Sequence, residues 1–173
     1  QAFQRVVDLY TDAHARLPSR DLNRPDIVLI CSPEDVFGKV GSVDRKATDD
    51  ERKRDTDLLV RQLKDLSNYA GDRGVGLAVE PLNRFETSFM NLASQAIDVV
   101  DRVDHPSCGI LLDTFHMNIE ERSIGDAIRA AGKRVRQIHT CENDRGAPGS
   151  GHVPWQEVAK ACRDIGFNGP YVI

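Results

Sequence analysis

Short apolar runs alternate with helical patterns along the chain, and this alternation constrains the fold more than any other feature. Five runs have the length and composition of buried strands: 27–30, 75–79, 110–112, 135–138 and 171–173. No two of them are joined by a hairpin signal. Because strands connected through helices pair in parallel with right-handed crossovers, the sequence predicts an α/β fold with a parallel sheet.

Apolar residues recur at helical spacing in five segments: 3–17, 59–69, 92–103, 124–131 and 158–165. Pro18 is expected to close the first helix, Gly71 and Gly74 to stop the second, and Asn91 to cap the third. Two architectures fit this order, an open doubly wound sheet and part of a (β/α)8 barrel. Periodicity alone does not choose between them.

Composition excludes several classes of protein. The 173 residues are 40% hydrophobic and 29% charged, which is typical of one globular domain. A net charge of −4 gives no basic surplus for nucleic acid. No apolar run approaches the roughly 18 residues that a membrane span needs, so no membrane partner is expected. The four cysteines form no C-x-x-C pair, which favours reduced thiols and a cytoplasmic location; they are Cys31, Cys108, Cys141 and Cys162.

Three strands end in a residue that can bind a metal ion. Glu80, Asp113 and His139 are each the first strongly polar residue after an apolar run. The carboxyl ends of parallel strands meet at one edge, where α/β enzymes place their active sites. A single carboxylate there is usually a solvated loop residue, but three such ligands on consecutive strands favour a divalent metal site. Carboxylate oxygens with one imidazole suit Mn²⁺, Mg²⁺ or Co²⁺.

A second polar residue follows each of these positions. Glu86, His116 and Arg145 lie six, three and six residues beyond Glu80, Asp113 and His139. An acid, an imidazole and a guanidinium beyond a metal can hydrogen-bond the hydroxyl groups of a sugar. Taken alone, Glu86 and Arg145 are more typical of ordinary loop residues, whereas His116 fits a structural and a functional role equally well.

Four motifs at these residues carry a resemblance to a known family. The segments VEPLNRFET, LLDTFHMNIEE, IHTCENDRGAPGSGHVPW and GFNGPYVI resemble the xylose-isomerase-like sugar isomerase/epimerase superfamily, and within it the D-tagatose and D-psicose 3-epimerases. The resemblance covers roughly residue 27 to the end of the chain, with the motifs in the family's order. As a set they are specific, whereas any one of them alone is weak.

The resemblance implies a (β/α)8 TIM barrel of which residues 1–173 form a single partial domain, from the fourth to the eighth strand. It also implies one metal ion, commonly Mn²⁺, bound by Glu80, Asp113, His139 and a second Glu that closes the eighth strand. We therefore expect the natural protein to continue past Ile173 with Glu, and to carry about 80 to 110 residues before Gln1.

The chemistry that the resemblance implies is ketose 3-epimerisation. Glu80 would be both metal ligand and acid/base, removing the C3 proton to give an enediolate, and a Glu across the sugar would return a proton. Glu86, His116 and Arg145 would bind substrate oxygens. The expected partner is a small sugar, and the oligomeric state is left open between a homodimer and a homotetramer.

Other functions remain alternatives. The same fold and metal could serve a sugar or inosose isomerase, an inosose dehydratase or a sugar-phosphate epimerase. A metal-dependent abasic-site endonuclease is disfavoured by five histidines and the absence of basic excess, and a non-catalytic sugar-binding protein by the intact ligand set. The glycine-rich GAPGSG could cradle a phosphate, but it lacks a following Lys-Ser/Thr, which favours a loop over the site.

Overall fold

The structure is a computed structural model that describes residues 2–16, 27–30 and 48–173. Its α-helices are Ala2–Arg16 (α1), Asp49–Gly71 (α2), Ala93–Val103 (α3), Thr114–Glu120 (α4), Ile124–Ala131 (α5) and Trp155–Asp164 (α6). Its strands are Ile27–Ile30 (β1), Leu77–Glu80 (β2), Cys108–Asp113 (β3), Val135–His139 (β4) and Tyr171–Val172 (β5). Pro18 and Cys31 lie outside the described residues. No helix in the described part of the chain is long and apolar enough to cross a membrane.

The five described strands form one parallel sheet in the order β1-β2-β3-β4-β5. A doubly wound sheet reverses its strand order at a switch point, whereas a barrel adds each strand beside the previous one. The consecutive order of the described strands is that of a barrel. The register pairs Ile30 with Glu80 and Asp113 with His139, so these strand ends lie level with one another.

The two faces of the sheet carry different side chains. Leu77, Val79, Ile110 and Leu112 belong to the buried apolar core that the sheet shares with its helices. Ala78 and Leu111 are equally buried but lie outside that cluster, as expected for residues whose side chains point to the opposite face. Glu80 lies two residues after Ala78, and Asp113 lies two residues after Leu111. Their side chains therefore point to the same face, away from the helices.

The helices of the structure differ from the predicted helical segments at the start of α2 and at α4. Helix α2 begins ten residues before the predicted segment, because Thr48 and Glu51 form a reciprocal capping box. It ends at Gly71, and Gly74 has φ +66, which confirms the predicted stop. Helix α4 was not predicted: its seven residues are too few to show a period, and its cap is the Asp113 side chain, which accepts from the Phe115 N–H.

The predicted N-cap at Asn91 is wrong. Helix α3 begins at Ala93, and the Gln95 side chain accepts hydrogen bonds from the Asn91 and Leu92 N–H groups. The Asn91 amide instead donates to the main-chain carbonyls of Leu82 and Thr87. The Asn91 amide is used by the loop, so the Gln95 side chain and not Asn91 satisfies main-chain donors at the start of α3.

Candidate active site

The ends of β2, β3 and β4 bring Glu80, Asp113 and His139 together. His139 Nδ1 lies 3.8 Å from Asp113 Oδ2 and 4.0 Å from Glu80 Oε1. Glu80 is 4% exposed and Asp113 2%. Burial of this extent excludes the interpretation of either carboxylate as a solvated loop residue.

The unpredicted helix α4 adds a second imidazole to the same carboxylates. His116 Nε2 lies 3.9 Å from both Glu80 Oε1 and Asp113 Oδ2. The ligand atoms of Glu80, Asp113 and His116 lie within 4.8 Å of one another, which is close enough to hold a metal ion. Distance alone therefore leaves His116 and His139 as competing nitrogen ligands.

The two histidines have different neighbours. His116 Nδ1 accepts from the main-chain N–H of Asn83 at 3.2 Å, and its Nε2 lies 3.3 Å from Arg145 Nη2. Burial lowers the pKa of His116. A cation bound at His116 Nε2 would therefore meet the positive charge of Arg145. His139 has Nε2 beside the Gln137 amide at 2.9 Å and turns Nδ1 toward the two carboxylates. A metal-binding imidazole is commonly held in this way through its other nitrogen.

The two carboxylates differ in acidity. Burial, with the nearby negative charge of Asp113, raises the pKa of Glu80 to about 7. Burial also favours a higher pKa for Asp113, but the neighbouring His139 imidazole and the Phe115 N–H outweigh it and lower that pKa. Glu80 thus resists ionisation in the metal-free protein. Two carboxylates together provide the oxygen ligands and the negative charge that a divalent cation prefers.

The raised pKa of Glu80 predicts a pH-dependent stability of the metal-free protein. Because the folded state binds this proton more tightly, the stability contributed by Glu80 is present below pH 4.5 and is lost as the pH rises through 7. The loss is roughly 3 kcal/mol at most. Denaturant unfolding with a chelator should show wild type losing more stability than Glu80→Gln between these pH values. Parallel curves for the two proteins would contradict the prediction.

Arg145 lies across the mouth of the site. Its Nη1 donates to Asp113 Oδ2 at 2.8 Å, and its guanidinium stacks 3.8 Å above the Phe115 ring. Its Nη2 is 3.8 Å from Glu86 Oε1, and Glu86 in turn is 3.9 Å from His116 Nδ1. The structure thus brings together all six residues that the sequence singled out, at the carboxyl end of the sheet.

Three further buried polar residues lie on the segments that carry this site, and they were not predicted as site residues. Asn83 orients His116 and donates through its amide to Glu86 Oε1 at 2.9 Å. Gln137 contacts His139, and strand alternation already placed these two on one face. Glu142 is fully buried just beyond β4. Asn83 and Glu142 lie in irregular segments, where no periodic signal could have identified them.

A parallel barrel-type sheet with clustered acids and imidazoles at the carboxyl ends of its strands has the architecture of a barrel enzyme. Residues 21–173 match the family described as xylose isomerase-like TIM barrel. The chain therefore belongs to that family.

Individual relatives agree with this assignment. A D-psicose 3-epimerase of Ruminiclostridium cellulolyticum is 44% identical over 123 residues, covering 71% of this chain and 42% of that protein. A D-psicose 3-epimerase of Agrobacterium fabrum is 42% identical over 114 residues, covering 66% and 39%. The structure of a D-psicose 3-epimerase with D-tagatose from Clostridium cellulolyticum H10 matches with a TM-score of 0.69 at 44% identity, over 73% of this chain and 43% of that one. The chain thus spans well under half the length of the relatives that it matches.

Proposed function

We propose that the full-length protein containing this chain is a divalent-metal-dependent ketose 3-epimerase, an isomerase of small sugars. The observation that carries the proposal is the meeting of Glu80, Asp113 and His139 at one strand edge. Its relatives named D-psicose 3-epimerase support the choice of reaction. A cytoplasmic location, a homo-oligomeric state and the single partial domain 1–173 stay predictions from the sequence.

The donor set fits a hard divalent cation, with Mn²⁺ favoured and Mg²⁺ or Co²⁺ as alternatives. Glu80, Asp113 and His139 would hold it, and when bound it would supply Lewis-acid polarisation of a ketose carbonyl. The fit rests on two buried carboxylates and one imidazole nitrogen, His139 Nδ1, within 4.0 Å of both.

Glu80 is the proposed base. It would accept the C3 proton of the ketose, which is acidified by the neighbouring carbonyl, and so leave an enediolate. Its buried setting raises its pKa to about 7, near the value at which a carboxylate accepts and returns a proton efficiently. Asp113, whose pKa is lowered, stays ionised and is better suited to binding charge than to moving protons.

Three residues would bind the sugar's oxygens. The guanidinium of Arg145 is a donor that faces the carboxylate pair, and the His116 ring lies beside it, with Nε2 3.3 Å from Arg145 Nη2. Glu86 is half-exposed at the mouth and can accept from a hydroxyl, with the Asn83 amide holding its other side. Together they present donors and an acceptor toward one small polyol.

The direct test is turnover by the full-length protein loaded with Mn²⁺. Free ketoses, ketose phosphates and inososes would be incubated in deuterated water and followed by NMR. We expect C3 epimers of free ketoses, with deuterium incorporated at C3. Conversion only of phosphorylated sugars or inososes would show that the substrate is not a free ketose. Conversion without deuterium uptake would contradict the proton-transfer mechanism.

The different surroundings of the two imidazoles predict different effects of their removal. His139→Ala should lower Mn²⁺ affinity by roughly 100-fold, because it removes a proposed ligand. His116→Ala should leave Mn²⁺ affinity nearly unchanged and mainly raise KM, as should Arg145→Ala. Calorimetric Mn²⁺ titration of the full-length variants measures this difference. Loss of metal binding in His116→Ala with retention in His139→Ala would reverse the assignment of the two rings.

A further inference from the structure

Glu142 is a buried carboxylate that the proposed reaction does not use. It lies three residues beyond His139, and its side chain is closed off from solvent. Glu142 Oε1 accepts from the Gly149 N–H at 2.8 Å and from the Trp155 indole N–H. Glu142 Oε2 accepts from the Val153 N–H at 3.1 Å and from the Asn143 N–H at 3.3 Å.

These donors keep the carboxylate ionised. Burial alone would raise the pKa of Glu142, but the hydrogen bonds from Trp155, Val153, Gly149 and Asn143 outweigh it and lower the pKa to about 2. A carboxylate with several N–H donors is typical of a site that holds a chain segment in one conformation. The glycine-rich GAPGSG segment thus donates a main-chain N–H, that of Gly149, to a carboxylate of the protein itself. This use of the N–H group is expected of a structural loop, whereas a phosphate cradle directs its N–H groups at a bound anion.

The loop 142–153 closes tightly around this side chain. The Arg145 N–H donates to the Glu142 carbonyl at 3.0 Å, and Asn143 Oδ1 accepts from the His152 N–H at 3.0 Å. A side chain at Gly151 would place its Cβ 2.6 Å from Glu142 Oε2 and 2.2 Å from Asn143 Oδ1. The main chain can approach the carboxylate this closely only because residue 151 is glycine.

Arg145 depends on this loop for its own conformation. Its φ is +64, a left-handed value that costs a non-glycine residue roughly 1–2 kcal/mol. That backbone turn sends the guanidinium back over Phe115 to Asp113. The turn is closed by main-chain bonds from the Arg145 N–H to the Glu142 carbonyl and from the Glu142 N–H to the Gly146 carbonyl. The Glu142 carboxylate binds the loop on both sides of this turn, at Asn143 and at Gly149.

We propose that Glu142 is a positioning residue that fixes the loop 142–153 and thereby holds Arg145 in place to bind the sugar. The role of Arg145 in this statement rests on the proposed function. The Glu142 carboxylate has no hydrogen bond to the six site residues, since its oxygens accept from donors of its own loop and of α6. The charge matters as well as the shape, because all its partners are donors and an amide NH₂ would oppose at least one of them.

The test is a double-mutant cycle in the full-length protein with Mn²⁺. Glu142→Gln alone is expected to lower kcat/KM by roughly 30-fold, chiefly through KM, since a displaced binding group weakens substrate binding. In an Arg145→Ala background the same change should cost less than about threefold, because the residue it acts through is gone. Mn²⁺ affinity should stay within about threefold of wild type in all variants.

Asp144→Asn is the matched control. Asp144 lies in the same loop but is exposed. It accepts from the Gly146 N–H at 2.8 Å, a bond that the side-chain oxygen of asparagine can retain. Its kcat/KM should remain near that of wild type. If Glu142→Gln does not fold, Trp155→Phe removes one donor to Glu142 and should shift KM in the same direction by a smaller factor.

Two kinetic results would overturn the proposal: wild-type kcat/KM in Glu142→Gln, or an undiminished loss in the Arg145→Ala background. A crystal structure of Glu142→Gln tests it without any turnover. An Arg145 guanidinium displaced from Asp113 supports the positioning role, and one that keeps its hydrogen bond to Asp113 contradicts it. If wild type converts no ketose, the proposed function fails while this structural comparison still decides what Glu142 does.

Discussion

Glu80→Gln in the full-length protein is expected to reduce C3 proton exchange by at least about 10³-fold, because it removes the proposed base. Glutamine has nearly the same shape and cannot accept the proton. The side chain is buried between Asp113 and His139, so an isosteric amide should leave the fold intact. Loss of deuterium incorporation from solvent into a ketose, followed by NMR, measures the effect directly.

Glu121→Gln is the matched control for this change. Glu121 is another carboxylate close to β3 in sequence, and it accepts from the Ala93 N–H, a bond that glutamine can retain. Its exchange rate should stay close to that of wild type, with circular dichroism and metal content recorded for both variants. Normal deuterium exchange by a folded, metal-loaded Glu80→Gln protein would show that another group moves the proton.

Asp113→Asn is expected to lower Mn²⁺ affinity by at least about 100-fold and to abolish turnover with it. Asn keeps the side-chain oxygen that caps α4 at the Phe115 N–H, so the helix should persist. It removes the charge that faces His139 and that pairs with Arg145 at 2.8 Å. Calorimetric Mn²⁺ titration gives the affinity, and thermal unfolding with a chelator gives the fold.

The same charge change at a surface position serves as the reference. Asp126→Asn weakens only an exposed pair with Arg129 on α5 and should not alter Mn²⁺ binding. Asp113→Asn should therefore differ from Asp126→Asn in Mn²⁺ affinity but not in secondary structure. Retention of Mn²⁺ at wild-type affinity by Asp113→Asn would remove Asp113 from the proposed ligand set.

The sequence by itself determined the sheet and the edge where the chemistry lies. Apolar runs of strand length separated by helical patterns give parallel strands, and the first polar residue after each run marks its carboxyl end. Glu80, Asp113 and His139 were found in this way, because the two-residue period of a strand fixes the face that each side chain takes. The barrel order of the strands came from the structure together with the family resemblance, since periodicity does not encode strand order.

Only the tertiary structure decided what surrounds that edge. It showed α4, which carries a second imidazole to the same carboxylates, and it showed that Asn83 and Arg145 contact the two nitrogens of that ring. It showed that the Asn91 side chain bonds a loop carbonyl and does not cap α3. It also showed that the glycine-rich segment donates a main-chain hydrogen bond to the buried Glu142 carboxylate. The physical reason is that regular elements repeat, so a pattern reports which face of an element is buried. Irregular segments have no repeat, and the partner of each donor and acceptor there is fixed by which distant parts of the chain are packed together.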